Sequence, residues 1–187
     1  MGRLCITLLL LCLLVAACGN GQSTPTTQFA IAPSPTAQDG AGTGLGHAVS
    51  DEGGGHVAEG TDVTYKNDPP ASGPHYNRVP DYNVYTEVVP PEYWVHNLEH
   101  GAIVVLYRCP RGLQECTEVT AQLQQLYRAA PPSKFGNVKM VAAQYPTLRT
   151  PLAMLAWNRV DELQTVDQER MLTLYRTYVD KGPEDVP

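Results

Sequence analysis

Apolar runs and helical repeats alternate along this chain in a way that predicts an α/β fold: one small domain, a mixed sheet with two or three helices packed on it. Three observations carry that reading. Residues 102–107 (Ala-Ile-Val-Val-Leu-Tyr) are continuously apolar, as a strand buried on both faces should be. Residues 113–130 place Leu113, Val119, Leu123, Leu126 and Tyr127 at helical spacing and stop at Pro131-Pro132. Asp167 stands as an N-cap before a second amphipathic stretch carrying Met171, Leu172, Leu174, Tyr175 and Tyr178, which closes near Gly182.

The domain is expected to open at His56. Residues 65–76 hold Pro69, Pro70, Gly73 and Pro74, which forbid a regular helix or a central strand. An ordered irregular loop is expected there, stiffened by its prolines and ending in His75. Residues 84–89 alternate and are β-rich, so they read as a strand that Pro90-Pro91 ends. Pro91 suits the first residue of a short helix reaching about Leu98, with Gly101 as its stop. On that helix Trp94 and Leu98 form an apolar pair opposite His96 and His100. Residues 138–143 and 152–157 are two further strands. The tail of this order, α-β-β-α with Pro151 before the later strand, also fits a thioredoxin-like layout, which is the alternative fold.

The first 55 residues read differently. Arg3 precedes a 12-residue apolar run at 4–15, too short to span a bilayer and of the length of a signal-peptide core. Val15-Ala16-Ala17-Cys18 then resembles the lipobox of bacterial lipoproteins, which are cleaved before the cysteine and acylated on its sulfur. Residues 1–17 are thus expected to be a lipoprotein signal peptide and Cys18 the lipidated mature N-terminus. The protein would be exported and held by that lipid on the outer face of the bacterial cell membrane, or on an outer membrane where there is one. An ordinary secretory leader is the alternative. Residues 19–55, rich in Gly, Ser, Thr, Pro and Ala, read as a disordered tether, so the region 18–55 is lipid anchor plus linker and 56–187 the globular domain. As a flexible coil the tether would span about 30–35 Å. His47 lies inside it and is expected to be solvated.

A formal charge of −6 with no basic run excludes nucleic acid as a natural partner, because phosphate neutralisation needs clustered Lys and Arg. Tyr outnumbers Phe ten to two, which suits a core with polar edges. Of the five cysteines, Cys5 and Cys12 fall in the leader and Cys18 in the anchor. Cys109 and Cys116 flank the turn signal Pro110-Arg111-Gly112, and in an oxidising compartment they are expected to form a structural disulfide. Metal ligation and redox work remain as alternatives, although the spacing is not C-x-x-C.

Four segments together resemble the family known as domain of unknown function 3105. They are His56-Val57, then Pro69-Pro70-Ala71-Ser72-Gly73-Pro74-His75-Tyr76, then Val95-His96-Asn97-Leu98-Glu99-His100-Gly101 with its strand, and Ala156-Trp157-Asn158-Arg159. The resemblance covers about residues 56–184. It implies export or membrane tethering, and it implies no activity. Asn83 and Asn158 stand where glycine is usual in that family; Asn tolerates left-handed backbone angles, so the fold is expected to survive both.

The histidines carry the functional reading. His75, His96 and His100, with His56 or Glu99 as a further ligand, could hold one transition-metal ion, Zn or Cu, since imidazole suits both. On a helix His96 and His100 would be about 6 Å apart at their Cβ atoms, within chelating reach. The alternative is that these histidines hold loops by hydrogen bonds in a non-catalytic module that binds a protein of the cell envelope or a small ligand. A third reading takes His96-Asn97-Leu98-Glu99-His100 as H-x-x-E-H, with Glu99 as the general base of a metallohydrolase. Gly101 and the following strand argue against it, because they cut the helix short.

Overall fold

The computed structural model describes residues 44–187. The expected signal peptide, Cys18 and the first part of the expected tether lie outside the described residues.

A six-stranded mixed sheet forms the middle layer, in the order β1-β8-β7-β5-β6-β4. Its strands are β1 (His47–Ala48), β4 (Val84–Val88), β5 (Ile103–Tyr107), β6 (Met140–Gln144), β7 (Leu152–Ala156) and β8 (Arg159–Leu163). β5 is central, parallel to β6 and antiparallel to β7, and all five of its residues are buried. Because side chains alternate along a strand, its two faces feed two cores. Ile103, Val105 and Tyr107 face α2 (Leu113–Ala129) and α3 (Gln168–Tyr178), where Leu123, Leu126, Met171 and Tyr175 cover them. Val104 and Leu106 face α1 (Pro91–Glu99), which contributes Trp94, Val95 and Leu98. A separate pair of two-residue strands, β2 (His56–Val57) and β3 (His75–Tyr76), runs parallel, with His56 directly opposite His75.

The helix and strand expectations stand with small shifts of boundary. Asp167 caps α3 by accepting from the Arg170 backbone N–H. The run β5–α2–β6–β7–β8–α3 keeps the tail on which the thioredoxin-like alternative rested, with Pro151 ahead of β7 and β8 interposed. Cys109 and Cys116 are joined in a disulfide, with their Cα atoms 5.3 Å apart.

Part of the stretch whose composition predicts a disordered tether is ordered. Residues 44–55 belong to the fold, and the boundary at His56 is corrected. Leu45 enters the core, β1 pairs with the outer side of β8, and Val49 donates to the Asn158 carbonyl. Residues 49–55 then run as a strap over the loop that precedes His75. Gly73 N–H donates to the Gly53 carbonyl, His75 N–H to the Gly55 carbonyl, and the Glu52 carboxylate accepts from the Lys66 and Asn67 N–H groups. A glycine-rich composition is compatible with order here because these groups replace water as partners. His47 is exposed as expected, but in a strand.

The Ala156-Trp157-Asn158-Arg159 segment is the turn between β7 and β8, and it ties strap and loop together. Asn158 has φ 58°, the left-handed conformation expected of it. Its N–H donates to the Ala71 carbonyl while its own carbonyl receives Val49. The Arg159 guanidinium reaches the Leu45 and Gly46 carbonyls. Asn83 takes a different course: its side-chain oxygen accepts from Val84 N–H at the start of β4.

α1 ends as Gly101 predicts, one residue beyond its cap. Gly101 N–H bonds the Leu98 carbonyl and Ala102 N–H the Asn97 carbonyl, so the last carbonyls of the helix are satisfied around a glycine at φ 76°. The C-terminal tail closes over this turn: Asp180 N–H donates to Gly101 O and Glu184 N–H to Glu99 O. Lys139, fully buried at the start of β6, donates its Nζ to the carbonyls of His100 and Val186. Its ammonium is pushed below the ordinary range by burial, which the nearby Asp180 carboxylate opposes. A side chain at Gly101 would place its Cβ 2.8 Å from the Gly182 nitrogen. Gly101→Ala should therefore lower stability by about 1–3 kcal/mol, strain and crowding together, read as a lower urea midpoint at unchanged slope.

Candidate metal centre

Three elements bring four side chains that could ligate a metal to one place: the two-stranded sheet, α1 and the proline-rich loop. One ligand atom from each of His56, His75, His96 and Glu99 lies within 4.8 Å of the others. His75 is fully buried, His96 is 4% exposed and Glu99 8%, whereas His56 is open to solvent. The rings of His56, His75 and His96 stand 4.7 to 5.1 Å apart between centroids.

Each position follows from local sequence. His96 and Glu99 are three apart on α1 and so share a face. The loop 65–76 is pinned by Tyr65, whose hydroxyl donates to the Pro74 carbonyl, and by Ser72, which accepts from Glu52 N–H. That brings His75 under the end of α1, and the β2–β3 pairing sets His56 beside it. Gly54 of the strap lies directly over Glu99, where a Cβ would stand 2.6 Å from the carboxylate oxygen. The site needs a residue without a side chain at that point.

Hydrogen bonds fix the tautomers. His75 Nδ1 lies 2.8 Å from the Gly73 carbonyl oxygen, and His96 Nδ1 lies 2.8 Å from that of Tyr76. A carbonyl only accepts, so both Nδ1 atoms carry the proton and both Nε2 lone pairs face the cluster when the rings are neutral. There His75 Nε2 meets Glu99 Oε2 at 3.0 Å, and His96 Nε2 meets His56 Nε2 at 3.4 Å. Acceptor facing acceptor is repulsive unless a proton or a metal ion lies between them. Two nitrogens 2.0–2.1 Å from a tetrahedral zinc stand about 3.4 Å apart, close to the His56–His96 separation. Burial holds the His96 imidazole below its ordinary pKa, partly offset by its bond to Tyr76 and reinforced by His75 and His56. The donor set, three imidazoles and one carboxylate without thiolate, suits Zn(II) or Cu(II).

His100 is not one of the four. It is the C-cap of α1, one residue beyond Glu99, and its Nε2 lies 3.4 Å from the Glu184 carboxylate. Its ring touches that of His96 edge to face at 4.4 Å, so the helical neighbourhood expected of the pair is present. Burial lowers the His100 pKa to about 4, the proximity of His96 adding to it. Of the H-x-x-E-H residues, His96 and Glu99 fall in the group of four, while His100 Nε2 faces the Glu184 carboxylate of the C-terminal tail. Sequence reasoning missed the strap residues Glu52 and Gly54; the one signal was an acidic residue set against a run of glycines directly before His56.

The family described as "Protein of unknown function (DUF3105)" matches residues 56–187. No curated protein and no solved structure matches the chain. Among the described residues, no helix is long and apolar enough to cross a membrane.

The site separates structural from exposed donors. His75→Ala leaves a buried carboxylate without its partner and should cost about 2–4 kcal/mol in the metal-free protein. His56→Ala removes an exposed ring and should cost less than about 1 kcal/mol. Urea unfolding of both variants after chelator treatment measures the difference.

Proposed function

Because the chain belongs to the DUF3105 family, whose description carries no activity, we propose a function from the site itself: the domain binds one transition-metal ion, Zn(II) or Cu(II), through His56, His75, His96 and Glu99. The observation that carries this reading is the pair of Nδ1–H bonds to the Gly73 and Tyr76 carbonyls. They turn the Nε2 atoms of two buried imidazoles toward Glu99 and His56, the outer-shell pattern that prepares histidine for a metal. The chemistry the chain supplies is binding: His75 and His96 are held rigidly, Glu99 offsets the ion's charge, and exposed His56 is the side from which an ion enters and leaves.

The second part of the proposal is location. The apolar run at 4–15 and Cys18 after Val15-Ala16-Ala17 support export and lipid anchoring to the cell membrane. The domain would then work outside the cytoplasm, next to envelope proteins with which it could exchange its ion.

Titrating the chelator-treated full-length protein with Zn(II) and Cu(II), with bound metal read by mass spectrometry, should give one ion per chain. His56→Ala should weaken binding at least about tenfold, or ~1.4 kcal/mol, and His100→Ala should change it less than about threefold. Saturating metal should raise the melting temperature of the wild type. No stoichiometric ion, with melting unmoved by either metal, would sink the proposal and return the histidines to a bracing role. Incorporation of labelled fatty acid that disappears in Cys18→Ala checks the anchor.

A further inference from the structure

The disulfide lies on the sheet face opposite α1, in a setting that a plain crosslink does not require. Cys109 follows the end of β5 by two residues, and Cys116 is the fourth residue of α2, so its side chain leans back over the first turn of that helix. Both cysteines are half-buried and line an open cleft of about 440 Å3 together with Leu113, Gln144 and Pro146. Gln144, at the end of β6, places its side-chain amide 2.9 Å from Cys116 Sγ and 4.0 Å from Cys109 Sγ. Leu113 stands 84% exposed on the rim, an apolar contact directed at solvent. The loop the disulfide closes is already held by Gly112 N–H to Cys109 O and Cys116 N–H to Gly112 O. Crosslinking so short a loop constrains the unfolded chain least.

We infer that Cys109–Cys116 is a thiol–disulfide exchange site that accepts two electrons from a polypeptide carrying a cysteine pair. One substrate thiolate attacks Cys109 Sγ, the S–S bond breaks, and its electron pair goes to Cys116 Sγ. The thiolate formed there receives the Gln144 N–H and sits over the first turn of α2, where negative charge is favoured. The second substrate thiolate attacks the substrate sulfur of the mixed disulfide, which releases Cys109. The substrate leaves with its own disulfide, and its two thiol protons end on Cys109 and Cys116. Leu113 and the apolar part of the cleft favour a peptide segment over a small polar thiol. The inference does not depend on the metal proposal, since the two sites share no residue.

The test mixes oxidised full-length protein with a reduced peptide bearing two cysteines, with free cysteine as the small-thiol comparison. Alkylation and mass spectrometry follow the thiols of Cys109 and Cys116. One peptide disulfide should form for each protein disulfide lost, and faster per thiol than with free cysteine. Cys116→Ser, given the oxidised peptide, should trap a mixed disulfide at Cys109. Gln144→Leu should slow exchange about fivefold or more at an unchanged melting temperature. A bridge that opens only in denaturant would overturn the proposal, and so would a peptide that reacts no faster than free cysteine.

Discussion

A carboxylate buried at the wrong end of a helix sets the terms for this domain. Glu99 is the last residue of α1, where the backbone dipole is negative, and only 8% of it reaches solvent. A carboxylate there is costly to bury unless polar partners answer it. The fold supplies His75 Nε2 at 3.0 Å, and beside His75 the rings of His96 and His56. Much of the irregular chain can be understood as holding that combination together. The loop from Tyr65 brings His75, the β2–β3 pairing brings His56, and the strap covers the carboxylate with a glycine.

The regular elements serve the same end from below. α1 is anchored to the even-numbered face of β5 by Trp94, Val95 and Leu98, with the Trp94 indole donating to the Val89 carbonyl. Its C-terminus is locked from the other side by the tail and Lys139. His96 and Glu99 thus project from a helix with little freedom to rotate or slide. The face of the sheet that carries α2 and α3 holds the larger core and, at its edge, the disulfide. The histidine cluster and the disulfide are therefore separated by a single sheet.

How much of this could be read from sequence follows from which forces act locally. The helix at Pro91, its stop at Gly101, the buried strand and the Asp167 cap all depend on nearest-neighbour chemistry, and each is legible. β8 was not, because Arg159-Val160-Asp161-Glu162-Leu163 is polar on paper; the charge of Asp161 is answered by Arg170 from α3, which no local pattern reveals. The strap was misjudged for a related reason. Glycine-rich composition signals missing side-chain contacts, whereas this segment is held through its backbone. At the site, His96 and His100 do share a helix face. Where their ring nitrogens point, however, is decided by where the helix ends, and His100 turns at the cap toward Glu184. The partnership of His56 with His75, across eighteen intervening positions in sequence, exists only through strand pairing.

The strap gives the domain a mechanical order as well. A pull on the chain from the N-terminal side meets the guanidinium of Arg170 on the Gly44 carbonyl first, then that of Arg159 on Leu45 and Gly46, then the β1–β8 bridge. Only when these have parted does the force arrive at Gly54 and His56. The most exposed member of the histidine cluster is thereby insulated from tension by anchorage on the far side of the sheet.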